Sequence, residues 1–128
     1  MVRIFLLVFY GLLGAIKDMS QRSDHEQELV TCGFNCPILF WDCDIVDPVD
    51  KIEYPYSLLT ISVSPSGKYV ALGSETAEVL LWEISSSKFI GRYSSHSDSI
   101  KKLKWSPDEK QIISVSSDAS MCIWNFFG

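Results

Sequence analysis

Tryptophan recurs at a nearly constant interval in this chain, at Trp41, Trp82 and Trp124, with steps of 41 and 42 residues. Each tryptophan ends a short apolar run of strand-forming residues: Ile-Leu-Phe-Trp, Val-Leu-Leu-Trp and Met-Cys-Ile-Trp. A period of about 40 residues with such runs is typical of a repeated all-β unit that buries its faces only by stacking on its neighbours. The spacing therefore predicts three stacked all-β units.

A turn-forming segment precedes each tryptophan by eighteen residues. It reads Ser-Pro-Ser-Gly-Lys at 64–68, Ser-Pro-Asp-Glu-Lys at 106–110 and Ser-Asp-His-Glu-Gln at 23–27. Proline fixes φ, glycine accepts positive φ, and Ser and Asp side chains bond to the local backbone, so all three favour turns. Alternating or wholly apolar runs lie on both sides of each turn and predict strands. We therefore expect each unit to be a four-stranded antiparallel meander.

The overlay of the copies places the units at 14–54, 55–95 and 96–128. Fourth strands are predicted at 49–54 and 88–93, whereas the last unit lacks one. The apolar segment 1–13 has two interpretations, a strand of a preceding unit or a leader. Its core, Ile4 to Tyr10, is too short to span a membrane.

The units resemble the WD-repeat family of β-propellers, most clearly in the last copy. His96, Ser114, Asp118 and Trp124 stand where that family has His, Ser, Asp and Trp, and 106–109 reads Ser-Pro-Asp-Glu where the family has Ser-Pro-Asp-Gly. The resemblance implies a partial all-β propeller of about three four-stranded blades. It also implies that these four side chains form a buried, hydrogen-bonded structural tetrad.

The other two copies depart from this pattern. In the middle copy Leu72 and Thr76 hold the Ser and Asp positions, and in the first copy Thr31 and Asn35 do. Neither copy has a histidine at the expected place. The resemblance therefore implies one complete tetrad, in the last copy. Trp41 and Trp82 mark the position of their repeats but have no complete set of tetrad partners.

A serine, a histidine and an aspartate in one unit could also suggest a hydrolase. A nucleophilic serine needs an exposed turn and an oxyanion hole, whereas Ser114 falls in the middle of a predicted strand. We therefore predict no enzyme, no catalytic residue and no cofactor, with a Ser/His/Asp hydrolase as the remote alternative.

Four cysteines raise the question of a metal site. Cys32, Cys36 and Cys43 have the spacing C-x3-C-x6-C, which lacks the paired short knuckles of zinc sites and has only His25 as a nearby fourth ligand. Cys32 and Cys122 lie in apolar runs, where a free thiol behaves as a small buried hydrophobe. We predict buried thiols, no metal and a reducing compartment.

The net charge of −5 argues against nucleic acid as a partner, because phosphate binding needs clustered Lys and Arg. The one basic cluster comprises Lys101, Lys102 and Lys104 and is predicted to be a solvated strand face.

The resemblance implies a non-catalytic scaffold for protein–protein interactions, with Tyr54, Pro55 and Tyr56 as the candidate partner-contact loop. The stretches 96–100, 112–119 and 123–124 are also similar to the last blade of proteins like cilia- and flagella-associated protein 52. That similarity implies tubulin or axonemal partners and a cytoplasmic location in the cilium or flagellum. A secreted or membrane-tethered propeller fragment is the alternative if residues 1–16 act as a leader.

Three units leave two apolar blade faces uncovered, since propellers have roughly four to eight blades. We therefore expect the chain to be a piece of a longer or truncated propeller, or to require further blades or a partner. Closure of residues 3–10 on Phe126 and Phe127 is a third arrangement that the sequence permits.

Overall fold

The computed structural model describes residues 14–22, 25–45 and 47–127, and the segment 1–13 lies outside the described residues. Eleven strands follow one another, and the described residues contain no helix. The bounds are β1 Ala15–Arg22, β2 His25–Phe34, β3 Cys36–Asp42, β4 Asp50–Ile52, β5 Leu58–Val63, β6 Tyr69–Ser74, β7 Glu78–Glu83, β8 Lys88–Ser94, β9 Ile100–Trp105, β10 Gln111–Ser116 and β11 Met121–Asn125. The predicted all-β fold is confirmed.

The strands form three antiparallel meanders. Sheet 1 has the order β1-β2-β3-β4, sheet 2 has the order β5-β6-β7-β8, and sheet 3 has the order β9-β10-β11. The first strands of the three sheets are neighbours, because β5 contacts both β1 and β9. The sheets therefore stack like consecutive blades, with β1, β5 and β9 innermost and β4 and β8 outermost.

Each innermost strand begins with the same irregularity. The pairing register shifts by one residue at Lys17, Leu59 and Lys101, the second or third residue of its strand. An extra residue of this kind bends a strand and strengthens its twist. The repeat is thus present in the backbone irregularities as well as in the tryptophans.

Two apolar clusters hold the sheets together. One joins sheets 1 and 2 through residues such as Ile38, Leu72 and Leu80, and the other joins sheets 2 and 3 through residues such as Leu81 and Leu103. All five of these side chains are at most 3% exposed. The strands β6 and β7 have apolar residues on both faces because sheet 2 is covered on both sides.

Two local details differ from the sequence-based expectations. In sheet 1 the turn predicted over 23–27 is shorter, because Arg22 already pairs with His25 at the start of β2. The thiols predicted to be buried at Cys43 and Cys122 are only half-buried, because Cys43 lies in the turn after β3 and no described strand lies beyond β11, whereas Cys32 and Cys36 are buried as expected.

Candidate interaction site

The four tetrad residues of the third unit lie together in the structure. Ser114 is in the middle of β10, Trp124 is in β11, Asp118 is in the turn between them, and His96 precedes β9. The indole N–H of Trp124 donates to Ser114 Oγ at 2.9 Å, and Ser114 Oγ lies 2.8 Å from His96 Nε2. The Ser120 hydroxyl gives its proton to Asp118 Oδ1, so His96 Nδ1–H donates to Ser120 Oγ, and in that tautomer Nε2 accepts from the Ser114 hydroxyl.

The far end of this hydrogen-bond chain contains a residue that the sequence did not indicate. His96 Nδ1 lies 2.8 Å from Ser120 Oγ but 3.3 Å from Asp118 Oδ2, so Ser120 is its closer partner. The Ser120 hydroxyl in turn donates to Asp118 Oδ1 at 2.5 Å, and the backbone N–H of Ser97 donates to Asp118 Oδ2 at 2.8 Å. These bonds, that of Ser120 foremost, hold the pKa of the Asp118 carboxyl well below its ordinary value.

This arrangement is structural rather than nucleophilic. Ser114 is 0% exposed and its oxygen is engaged by both the indole and the imidazole. A catalytic serine must present its oxygen to a substrate, usually from a sharp exposed turn. Within the residues that the structure covers, every buried side-chain nitrogen and oxygen has a hydrogen-bond partner. The tetrad therefore ties β10, β11 and the segment before β9 together.

The first two sheets hold their tryptophans differently. In sheet 1 the indole of Trp41 donates to Thr31 Oγ1 at 2.8 Å, which is the same bond with threonine in place of serine. In sheet 2 Leu72 cannot accept a hydrogen bond, and the ring of Trp82 packs edge-on against Phe89 of β8 with centroids 4.8 Å apart. An aromatic contact thus takes the place of the polar chain.

A ladder of side-chain acceptors connects the innermost strands, and every bond in it spans 43 residues. Asp18 Oδ2 accepts from Ile61 N at 3.0 Å, Ser20 Oγ from Val63 N at 3.0 Å, Thr60 Oγ1 from Leu103 N at 3.3 Å and Ser62 Oγ from Trp105 N at 3.4 Å. Sheet 1 therefore offers two acceptors to two backbone donors of sheet 2, and sheet 2 offers two to sheet 3.

A charged contact reinforces this ladder. Lys102 Nζ lies 2.9 Å from Asp18 Oδ2, and Thr60 Oγ1 donates to the same oxygen at 2.8 Å. Burial acts to raise the pKa of Asp18, but the bonds from Lys102, from the backbone of Ile61 and from Thr60 outweigh it and lower the pKa. The basic cluster is therefore only partly the solvated face that the sequence suggests, because one of its lysines joins sheet 3 to sheet 1.

The candidate contact loop lies between sheets 1 and 2. The Tyr54 ring is half-buried against Phe89, with centroids 5.4 Å apart, and burial raises the pKa of its hydroxyl. Pro55 is exposed and Tyr56 is 50% exposed. The three residues line a cleft of about 690 Å³, which Asn35 and Glu75 also line. Tyr54 is therefore an anchor of the loop, and Tyr56 is its accessible aromatic ring.

The cysteines form no metal site in the described part of the chain. All four are free, and no group of three or more His, Cys, Asp or Glu residues there could hold a metal ion. Burial raises the pKa of the Cys32 thiol to about 12, so this thiol stays protonated and unreactive. The same described residues contain no helix that is long and apolar enough to cross a membrane.

Residues 87–125 match the family described as WD domain, G-beta repeat. Pre-rRNA-processing protein IPI3 of Mycosarcoma maydis is 32% identical over 91 residues, which cover 71% of this chain and 15% of that relative. U5 small nuclear ribonucleoprotein 40 kDa protein of Pongo abelii is 39% identical over 66 residues, which cover 52% of this chain and 18% of that relative. The chain thus spans less than a fifth of either relative.

The crystal structure of RRP9 WD40 repeats resembles the fold with a TM-score of 0.79 and 23% identity, over 91% of this chain and 38% of that one. At this identity the likeness concerns the fold alone, and that fold is a WD40 propeller domain. Residues 87–125 therefore match a WD repeat, and the described chain has the fold of WD40 propeller domains.

Proposed function

We propose that this chain is a non-catalytic scaffold that binds other proteins through the loop 54–56. The observation that carries the proposal is the contrast between two sites: Ser114 and His96 are buried and hydrogen-bonded to their tetrad partners, whereas Tyr56 is 50% exposed and lines a cleft. Aromatic residues of this kind supply much of the energy of protein interfaces. WD40 domains also generally mediate protein interactions, and the match at 87–125 supports that role here.

A photo-crosslinking amino acid at position 56 tests the proposal. We expect it to capture a discrete set of proteins in cells, and the same amino acid at Ile45, which is 48% exposed on a different turn, serves as the matched control. Tyr56→Ala should then weaken binding of the captured protein at least fivefold without a change in thermal midpoint. Equal capture from both positions would refute the assignment of this loop.

The names of the relatives support one class of partner. Two of them are a pre-rRNA-processing protein and a component of a small nuclear ribonucleoprotein. With a net charge of −5, we propose contact with the protein components of such assemblies rather than with RNA. Crosslinking to RNA that is as efficient as crosslinking to protein would contradict this choice.

Axonemal or tubulin partners stay a prediction that rests on the sequence resemblance of the last repeat. Its test is co-sedimentation of the purified chain with microtubules, with Tyr56→Ala as the variant. Retention in the microtubule pellet that the variant reduces would favour the ciliary role, and no retention above that of an unrelated acidic protein would remove it.

We propose that the protein is located in the reducing cytoplasm and, more specifically, in the cilium or flagellum. Four free cysteines support this location, because thiols in oxidising compartments tend to pair. The alternative, a secreted or tethered chain, predicts a mature N-terminus near Ile16. N-terminal sequencing of the protein from cells distinguishes the two.

A further inference from the structure

The cleft beside the loop 54–56 is held in shape by Ser57. This residue is buried, and its Oγ accepts from the backbone N–H of Asn35, between β2 and β3, at 3.2 Å. Ser57 N donates to Glu75 Oε1 at 3.2 Å, and Glu75 N, between β6 and β7, donates to Ser57 O at 3.0 Å. One residue thus joins a turn of sheet 1 to a turn of sheet 2, so hydrogen bonds within the chain already fix this part of the cleft.

The carboxylate of Glu75 lines the cleft with one oxygen unused. Oε1 accepts from Ser57 N, whereas Oε2 has no hydrogen bond and no ion pair among residues 14–22, 25–45 and 47–127. The other carboxylate that lines the cleft, Glu53, already pairs with Lys51 at 3.3 Å. Glu75 can therefore still accept a charged donor, whereas Glu53 already has one.

The ring of Tyr56 lines the same cleft. It is 50% exposed, and its hydroxyl makes no hydrogen bond to any residue that the structure describes. The ring contacts Tyr54, with centroids 6.1 Å apart, and Tyr54 in turn packs against Phe89 at 5.4 Å. Tyr56 is therefore held by its neighbour while about half of its surface stays open to solvent.

The interface between sheets 2 and 3 shows that neither side chain is needed for the sheets to stack. Forty-two residues later along the chain, Asp98 takes the place of Tyr56 and Ser117 takes the place of Glu75. Ser117 N still donates to Ser99 O at 3.1 Å, which repeats the backbone bond made by Glu75. Since the backbone bond persists when both side chains change, the ring and the carboxylate between sheets 1 and 2 are available for recognition.

We propose that this cleft binds an arginine side chain of a partner protein, with its guanidinium stacked on Tyr56 and paired with Glu75. A guanidinium has a flat face that stacks on aromatic rings and a fork of N–H donors that matches a carboxylate. Lysine has no such face, and an acidic or phosphorylated side chain would meet Glu75 as a like charge. The net charge of −5 also favours a cationic partner surface. The inference rests on the proposed binding at the loop 54–56 and names the chemistry that this loop recognises.

Three peptides that differ at one position test this choice. The probe is acetyl-Gly-Ala-Arg-Ala-Gly-amide, and its two analogues have citrulline or lysine in place of the arginine. Titrated into the isotope-labelled full chain at low salt, the arginine peptide should cause saturable shifts of the Glu75 amide and the Tyr56 ring resonances. Citrulline keeps the shape of arginine without its charge, so its peptide should bind at least about tenfold more weakly. The lysine peptide should bind at least about threefold more weakly.

Two glutamine variants separate this site from general charge attraction. Glu75→Gln keeps an oxygen for Ser57 N and removes the charge, so it should weaken binding of the arginine peptide at least about fivefold. Glu83→Gln is the same change at the end of β7, outside the cleft, and should leave the affinity unchanged. The comparison of arginine with citrulline uses the unaltered chain, so the test stands even if a variant fails to fold.

Equal affinity for the arginine and citrulline peptides, no saturable shift in the full chain, or an equal loss in both glutamine variants would overturn the inference. Equal affinity for the lysine peptide would overturn the choice of arginine. Capture of a protein at position 56 whose binding is weakened by Tyr56→Ala but not by Glu75→Gln would keep the proposed function and refute the arginine site. Failure of both the capture and the peptide shifts would remove both.

Discussion

Removal of the Ser114 hydroxyl should destabilise the fold more than any other single polar truncation in the third unit. Ser114→Ala deletes the acceptor of the Trp124 indole and the donor to His96 Nε2 in one step. The His96 side chain is 0% exposed, so its ring nitrogen loses a bond without access to water. A buried polar group left without a partner costs about 1–3 kcal/mol.

The indole of Trp124 is half-buried, so water can replace part of its bond and its cost lies near the lower limit. The two losses together amount to about 2–4 kcal/mol of the free energy of unfolding. Since m is about 2 kcal/mol/M in urea for small proteins, the midpoint of urea denaturation should fall by about 1–2 M with m unchanged.

Thr31→Val is the matched control, because it keeps the volume and removes only the bond from Trp41 in sheet 1. It should cost about 1–2 kcal/mol, roughly half the effect of Ser114→Ala. Ser85→Ala, at an exposed turn, should change the free energy by less than about 0.5 kcal/mol. An effect of Ser114→Ala no larger than that of Thr31→Val would refute the proposed hydrogen-bond chain through His96.

Asp18→Asn should lower the free energy of unfolding by about 1 kcal/mol, because the amide oxygen still accepts the ladder bonds but the charge that faces the half-exposed Lys102 is lost. The loss should be smaller in high salt, and urea titrations at low and high salt measure the difference. The pKa values of Asp18 and Asp118 are both lowered in the folded state, so the two carboxylates add to the free energy of unfolding above the unfolded pKa of about 4, and this contribution is lost as the pH falls below it toward the folded values. A thermal midpoint that stays constant as the pH is lowered through and below about 4 would contradict this prediction. Glu109 has φ 61° and accepts from the backbone N–H of Ser66, so Glu109→Ala should cost about 1 kcal/mol whereas Glu109→Gly, which relieves the backbone, should be close to neutral in calorimetry.

Most of the fold could be predicted from local patterns in the sequence. The strands of sheets 2 and 3 follow from alternating and apolar runs bounded by proline and glycine turns, because those signals act over a few residues. The tryptophan interval then fixes how many units stack. The predictions of buried thiols at Cys43 and Cys122 were wrong because burial depends on what packs over a residue in the folded chain, which no local pattern reports.

The candidate site was less accessible to sequence reasoning. His96, Ser114, Asp118 and Trp124 came from the family resemblance, and the structure adds Ser120 as the nearer partner of the imidazole. A signal existed, since a serine two residues after the turn aspartate can bond to its carboxylate. In the sequence, the acceptor ladder appears only as polar residues that recur one repeat apart. Their hydrogen bonds cannot be predicted until the sheets are known to be adjacent.

The acceptor ladder has a direction, and that direction limits how this chain could be lengthened by duplication. In sheet 2 Thr60 and Ser62 accept from the backbone of sheet 3, and the backbone N–H groups of Ile61 and Val63 donate to sheet 1, so one copy of sheet 2 can dock on another. Sheet 3 has Lys102 and Lys104 at those two positions, and an ammonium group cannot accept. Tandem copies of the second unit should therefore stack into longer arrays, whereas copies of the third unit should end them.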